Sequence, residues 1–164
     1  MAALVRSRSN KRAVRRAGDA GRRVEYLAFV LAGETYAVPI ARVAEILRPP
    51  PITEVPRAPV NVVGVTSVRG KLVTVMDLRR RLHLAEAPID RKTRILLADA
   101  GPGEALGLLV DEVHQVWRLA AEEIEPSNVL GGEQPPHIAG IGRPVGAAAT
   151  ILILLDLRPI LESL

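Results

Sequence analysis

The sequence predicts an all-β protein built as one barrel or a pair of barrels. Short runs of Val, Leu and Ile alternate with turn residues along most of the chain from residue 24 onward. Glycine-containing turns separate these runs at fairly even spacing, and helical patches are brief. With one Trp, two Tyr and one Phe in 164 residues, the core must be aliphatic. A chain of this length can bury such a core without disulfides.

The first elements predicted are two strands and a helix. "VEYLAFVL", residues 24–31, is apolar and β-rich, and an Ala-Gly-Glu turn leads into "TYAVPI". Pro39 suits the first position of a helix, because its missing N–H would be unpaired there. Residues 39–47 then place apolar side chains at helical spacing, namely Ile40, Val43, Ala44 and Leu47. Three prolines from Pro49 onward end this predicted helix.

The central stretch predicts a hairpin followed by one helical turn. "VNVVGVTSV" and "KLVTVM", within residues 60–76, have strand character, and Arg69-Gly70 lies at their junction. Asp77 is a good N-cap for "DLRRRL", because its carboxylate can accept backbone N–H bonds. Arg69 is thus either an ordinary turn residue or a side chain held for a partner.

The second half predicts two more hairpins. Residues 93–110 read as strands around Gly-Pro-Gly-Glu, and residues 111–119 alternate as a further strand. Within residues 137–155, two predicted strands lie on either side of an Arg-Pro-Val-Gly turn. The closing "DLRPIL" at 156–161 repeats the Asp-Leu-Arg unit of residues 77–79, which predicts two related halves.

The charge distribution predicts two regions. Residues 1–23 hold eight Lys/Arg and one Asp, whereas residues 24–164 hold fourteen Lys/Arg and seventeen Asp/Glu. The first region is too poor in large apolar residues to order itself, so we expect a disordered basic tail at 1–23 and a folded domain at 24–164. The tail could contact nucleic acid or an anionic membrane, although stacking aromatics are missing. No apolar run reaches the roughly 20 residues of a membrane-spanning helix.

The sequence offers little catalytic chemistry. It contains no cysteine, and the three histidines, at 83, 114 and 137, lack the spacing of metal ligands. Glycine pairs lie between predicted strands, so they do not form a P-loop or a dinucleotide-binding turn. Ser67 lacks the flanking glycines of a nucleophile elbow. We therefore predict no catalytic residues, no cofactor and no metal, and a binding or scaffold protein rather than an enzyme.

Five stretches, taken in order, resemble the CheW family of chemotaxis coupling proteins. "YLAFVLAGETYAVPIARVAEIL" is similar to the family's opening, and "LGLLVDEVHQVWRL" to its Gly-x-x-Val-Asp-x-Val segment. The most diagnostic stretch is "VPRAPVNVVGVTSVRGKLVTVMDLRRRL", which resembles a Gly-Val-x-Asn-Leu-Arg-Gly hairpin with a following Asp-Leu-Arg turn. "IAGIGR" and "ILILLDLRPIL" are similar to the family's ending. The resemblance runs from about Glu25 to Leu161.

The resemblance implies a fold and a role. The fold would be two intertwined five-stranded SH3-like β-barrels with short helices. The role would be non-enzymatic coupling of methyl-accepting chemoreceptor cytoplasmic tips to the regulatory domain of a CheA-type histidine kinase. We therefore expect a cytoplasmic protein recruited to membrane-associated receptor arrays. The sequence marks no kinase-contact residues.

The resemblance also implies a receptor-binding site. The family's hairpin arginine matches Arg69, its helix glutamate matches Glu45, and the family places the two close together by the receptor-binding surface. A guanidinium paired with a carboxylate is held in one rotamer, so we expect this pair to order the surface. Apolar neighbours would add contact area. The predicted receptor site comprises Val43, Glu45, Ile46, Val65, Val68, Arg69 and Gly70.

Departures from the family pattern keep other roles open. Ser67 stands where the family has Asn, Thr74 where it commonly has Pro, and "RPPPITEVPRAP" is unusually Pro-rich. One alternative is a single-partner adaptor or decoy in a non-standard chemosensory pathway. The other is a small β-barrel nucleic-acid-binding protein that uses the basic tail.

Overall fold

The computed structural model describes residues 22–127, 131–132 and 135–162. The strands are β1 (Arg23–Leu31), β2 (Glu34–Pro39), β3 (Val43–Leu47), β4 (Val62–Val68), β5 (Lys71–Asp77), β6 (Arg94–Gly101), β7 (Glu104–Val110), β8 (Glu112–Ala120), β9 (Ile124–Pro126), β10 (Ile138–Gly142) and β11 (Leu152–Leu155). The helices are α1 (Leu78–Arg81) and α2 (Leu157–Glu162), and 3₁₀ turns lie at Ile40–Arg42 and Ala121–Glu123. None of the helices in these ranges has the length and apolar character needed to span a bilayer.

The strands form two sheets, which we call the first and second barrels. The first barrel has the order β8-β1-β2-β11-β10-β9, and the second has the order β3-β6-β7-β5-β4. Neighbouring strands are antiparallel except for β2–β11 and β5–β7, which are parallel. The all-β two-barrel prediction is confirmed. The second barrel has the expected five strands, and the first has an additional three-residue strand, β9.

The barrels are intertwined because the chain leaves the first barrel and later returns to it. The first barrel contains β1, β2 and the final strands, whereas β3 to β7 form the second. The chain crosses between barrels at Ile40–Arg42, which we call the first crossing, and at Asp111, which we call the second crossing.

The two barrels repeat one arrangement. Five strands of the first barrel follow the order β8-β1-β2-β11-β10, and the second barrel follows β3-β6-β7-β5-β4. Strands at the same place in the two orders correspond, so that β2, for example, corresponds to β7 and β8 to β3. Strands β5 and β11 each lead into an Asp-Leu-Arg turn and a short helix. Asp77 accepts the Arg79 N–H at 2.9 Å, as predicted for a cap, and Asp156 accepts the Arg158 N–H at 3.0 Å. The arrangement agrees with the prediction of two related halves.

The predicted helix at residues 39–47 is wrong. Only Ile40–Arg42 turns, as a 3₁₀ turn, and Val43–Leu47 is an edge strand that pairs antiparallel with β6. Val43 and Ile46 are β-branched and favour extended backbone. Pairing with β6 satisfies the backbone of this segment, so tertiary context overrides the helical spacing of its apolar residues.

The core lies in three clusters, one between the barrels and one inside each. The cluster between the barrels packs the outer face of the β1–β2 hairpin against that of β6–β7, and α1 and α2 contribute to it. Phe29 stacks on Tyr36 there, with ring centroids 6.2 Å apart. The buried residues of the clusters inside the barrels are aliphatic and include Leu119, Leu152 and Leu154 in the first and Val73, Val75 and Ile95 in the second.

Most of the predicted tail, residues 1–23, lies outside the described residues, and its disorder stays a prediction. Its last residue, Arg23, is the first residue of β1 and pairs with Ala120 of β8. The Arg23 guanidinium also donates to the Glu123 carboxylate at 2.8 Å. The folded body therefore includes Arg23.

Candidate functional site

Arg69 has a left-handed backbone conformation, which residues other than Gly, Asn and Asp rarely adopt in turns. Arg69 and Gly70 join β4 to β5 and have φ angles of 51° and 77°, the pattern of a two-residue hairpin turn with both central residues left-handed. Glycine adopts this conformation freely, whereas another L-residue loses about 1–2 kcal/mol there. Asn and Asp are the usual occupants of the first turn position. An arginine at this position therefore points to a role for its side chain.

The Arg69 side chain reaches strand β3. Its Nη2 donates to Glu45 Oε1 at 2.5 Å, and the two side chains are 77% and 28% exposed. Strands β3 and β4 lie at opposite ends of the second sheet, so this pair bridges the seam where the sheet closes on itself. An ion pair this exposed contributes about 0.2–1 kcal/mol. Its main effect is to fix the hairpin relative to β3, which is a strand and not the helix expected from the family.

The other predicted site residues are buried to different degrees. Val43 packs against the cluster between the barrels, and Val68 packs against the cluster inside the second barrel. Val65 is half-buried, and its backbone exchanges two hydrogen bonds with Thr53. Ile46 is exposed, and Gly70 has open space around it. The structure brings Arg69 and Glu45 together, while receptor contact by any of the seven residues stays a prediction.

Sequence reasoning missed an apolar surface next to the hairpin. Leu72 is 76% exposed, two residues beyond Gly70. It lines a groove of about 520 Å³ between β3, β5 and the β6–β7 turn, together with Ala44, Pro102 and the charged residues Lys71, Asp99 and Glu104. The alternation of "KLVTVM" does not reveal it, because Leu72 and Val73 are both apolar and only Val73 is buried.

Two buried carboxylates have shifted pKa values. Burial raises the pKa of Asp77, and the Arg79 N–H and two arginine charges offset this only in part. The N–H groups of Val145 and Ala120, followed by the charge of Arg23, hold the pKa of Glu123 below its usual range. Asp77 caps α1, and Glu123 joins Ala120, at the end of β8, to Val145, in the segment between β10 and β11. Both carboxylates therefore have a structural role.

The candidate site offers docking chemistry. It presents a guanidinium, a single carboxylate and aliphatic side chains, and one carboxylate is fewer than the three or four protein ligands of a typical metal site. Within the described ranges, no three histidine or carboxylate side chains come together in a way that could hold a metal ion. The arrangement can recognise a protein surface that combines acidic and apolar groups.

Comparisons with known proteins agree on one family. A family model described as a CheW-like domain matches residues 25–164. The chain is 30% identical over 140 residues to a chemotaxis protein CheW of Klebsiella aerogenes, covering 85% of this chain and 82% of that protein. It is 32% identical over 130 residues to protein FrzA of Myxococcus xanthus, covering 79% of this chain and 81% of that protein.

A solved structure supports the same assignment. The crystal structure of the scaffolding protein TtCheW from Thermoanaerobacter tengcongensis superposes with a TM-score of 0.75 at 27% identity. The match covers 87% of this chain and 94% of that chain. Because the family model matches residues 25–164, well over half of the chain, and the solved relative shares its architecture, the chain belongs to the CheW-like family of chemotaxis coupling scaffolds.

Proposed function

We propose that this protein links the cytoplasmic tips of methyl-accepting chemoreceptors to the regulatory domain of a CheA-type histidine kinase. It does so without catalysis, in the cytoplasm, at membrane-associated receptor arrays. Family membership over residues 25–164 supports a coupling scaffold, and the hairpin surface supports receptor docking. One observation carries the receptor half of the proposal: Arg69 has a left-handed backbone conformation and its side chain pairs with Glu45 beside exposed apolar side chains.

The chemistry of this surface suits a moderate-affinity contact. A guanidinium carries five N–H donors, and the contact with Glu45 leaves most of them for a partner. Exposed Leu72 and Ile46 add apolar area close to the charged pair. Apolar patches rimmed by charged residues are typical of protein interaction sites. An acidic and apolar receptor segment therefore fits this surface best.

A double-mutant cycle tests the receptor half. We expect Arg69→Ala and Glu45→Ala each to weaken binding of a receptor signalling fragment by about tenfold, since each removes one half of a charge pair. The double variant should lose little more than either single variant. Binding to the kinase domain and the free energy of unfolding should change by less than about 1 kcal/mol.

Arg143→Ala is a matched control, because Arg143 is another exposed arginine in a surface ion pair, with Glu125. Its receptor affinity should equal that of the unmodified protein. Unchanged receptor affinity in Arg69→Ala and in the charge reversal Arg69→Glu would remove this surface from the proposal.

One of the similar proteins, FrzA, does not carry the name of a chemotaxis protein, which supports a second candidate, an adaptor in a non-standard chemosensory pathway. Such an adaptor could bind only one of the two partners. Titration of the protein with each partner separately distinguishes the two candidates, because the coupling role requires both contacts.

The basic tail motivates the remaining candidate, a nucleic-acid-binding protein. That role predicts binding that weakens steeply with salt and disappears when the tail is removed. The deletion should cover residues 1–21 only, because Arg23 belongs to β1 and pairs with Glu123. Binding that is insensitive to this deletion would exclude the tail as the contact.

A further inference from the structure

The two crossings between the barrels occupy equivalent places in the repeated fold. The first, Ile40–Arg42, connects β2 to β3, and the second, Asp111, connects β7 to β8. Because β2 corresponds to β7 and β3 to β8, Ile40 and Asp111 are matched positions directly after matched strands. Arg79 and Arg158 are matched as well, as the arginines of the two Asp-Leu-Arg turns. The two crossings can therefore be compared contact by contact.

The second crossing is held by a network of directed polar contacts. The Asp111 carboxylate accepts from Arg79 Nε at 2.7 Å and also from Arg79 Nη2, a two-pronged ion pair. It accepts the Ala32 N–H at 2.8 Å, and the Asp111 N–H donates to the Val30 carbonyl at 3.1 Å. Arg79 belongs to the second barrel, whereas Val30 and Ala32 belong to the β1–β2 hairpin of the first. One carboxylate thus ties the crossing to both barrels.

This network is also partly shielded from water. The Arg79 side chain is 15% exposed and that of Asp111 is 25% exposed. Arg79 Nη1 donates to the Ala85 carbonyl at 2.6 Å, which fixes the guanidinium from a third side. Two-pronged pairs of this kind are strong and allow little change of angle.

The first crossing is held differently. Ile40 stands where the second crossing has Asp111, and it packs against the apolar cluster between the barrels. Arg158, the counterpart of Arg79, turns back to Asp156 of its own turn, with Nη2 and Oδ2 2.9 Å apart, and is 71% exposed. Apolar contacts are non-directional, so they persist through small rotations that would break a two-pronged pair.

We propose that the Arg79–Asp111 pair is the fixed pivot between the two barrels, and that the barrels reorient about it by movement at the first crossing. The first crossing runs directly into β3, which carries Glu45. A partner that binds β3 and the Arg69 hairpin therefore changes the angle between the barrels. Binding at the second barrel thus changes the orientation of the first barrel. This last step rests on the proposed receptor contact, whereas the pivot itself is a property of the isolated protein.

Pulsed electron paramagnetic resonance on the isolated full chain tests the pivot. The sequence has no cysteine, so introduced cysteines take spin labels at single sites. Labels at Gln115 in the first barrel and Ser67 in the second measure the distance between barrels. Labels at Ser67 and Ala100 measure a distance within the second barrel. All three positions are exposed.

We expect Asp111→Asn and Arg79→Lys to make the distribution of distances between barrels about twofold wider, because neither variant can form the two-pronged ion pair. The distance within the second barrel should stay the same. The matched variants Asp156→Asn and Arg158→Lys alter the equivalent turn, and both distributions should remain as in the unmodified protein. Arg79→Lys keeps the positive charge and supplies the measurement if Asp111→Asn does not fold.

If the distribution of distances between barrels is no wider in folded Arg79→Lys than in the unmodified protein, the proposal is overturned. The pair would then have a role in stability alone. Equal broadening in the Arg158 variant would overturn it too, because the two crossings would then be equivalent. A receptor fragment should shift the distance between barrels in the unmodified protein. If the fragment does not bind at all, the proposed receptor contact fails, while the variant measurements still decide the pivot.

Discussion

Strand β4 passes so close to the preceding Pro-rich segment that position 64 has no room for a side chain. A Cβ on Gly64 would lie 2.2 Å from the Thr53 carbonyl oxygen and 2.9 Å from Ile52 Cγ2. Thr53 and Val65 exchange two backbone hydrogen bonds, of 2.8 and 2.9 Å. We predict that Gly64→Ala displaces this segment from β4, which carries Val65 and Val68 of the candidate site.

The distances set the size of the effect. The Thr53 carbonyl must move by about 1 Å to reach ordinary contact distance, which takes both hydrogen bonds beyond about 3.5 Å. Each lost bond costs about 1 kcal/mol. The bond from Thr66 Oγ1 to the Pro51 carbonyl, 2.8 Å long, adds about 1 kcal/mol if it breaks too. The expected loss is therefore about 2–3 kcal/mol, or about 4–12 °C in Tm.

Urea unfolding measures this loss, and the dependence of the free energy on urea should stay the same. Ser67→Ala lies exposed on the same strand and should change stability by less than about 0.5 kcal/mol. Gly140→Ala should behave like Gly64→Ala, since its Cβ would lie 2.5 Å from the Glu125 carbonyl oxygen. A loss below about 0.5 kcal/mol for Gly64→Ala would show that Thr53 does not pair with β4 in solution.

Two further predictions concern the buried carboxylates. The lowered pKa of Glu123 means that its stabilising effect is present above the pKa of an unfolded glutamate and is lost as the pH falls through the folded value. Glu123→Gln should therefore flatten the acid side of a plot of Tm against pH, and an unchanged acid side contradicts this. The raised pKa of Asp77 has the opposite sign, so stability falls as the pH rises through the folded value. Asp77→Asn keeps a capping side chain and should preserve stability at neutral pH, whereas Asp77→Ala should lose about 1 kcal/mol in urea unfolding. Equal losses in the two variants would refute the capping role.

Elements with local signals were predicted correctly from the sequence. The β4–β5, β6–β7 and β10–β11 hairpins each have Gly-containing turns between apolar runs, and Asp77 has the chemistry of an N-cap. Strand β3 has no such signal, because its five residues fit a helix as well as a strand. Only pairing with β6, which begins 47 residues after β3 ends, decides its conformation.

The candidate site was predicted in part, and from the family resemblance. The resemblance places Arg69 near Glu45, and the structure shows the contact. The Arg79–Asp111 network was missed, because Arg79 is one of three consecutive arginines and its partner lies 32 residues away in sequence. Exposure of Leu72 depends on which part of the β5 outer face the first barrel leaves uncovered, and local sequence does not encode that.

Calorimetric titration tests the central claim most directly. The protein is first titrated into the regulatory domain of a CheA-type kinase encoded beside it, and a receptor signalling fragment is then titrated into that complex. The coupling role predicts that both partners bind and that kinase-bound protein still accepts the receptor fragment. Binding of only one partner, or exclusion of one by the other, would contradict the coupling role and leave a single-partner adaptor.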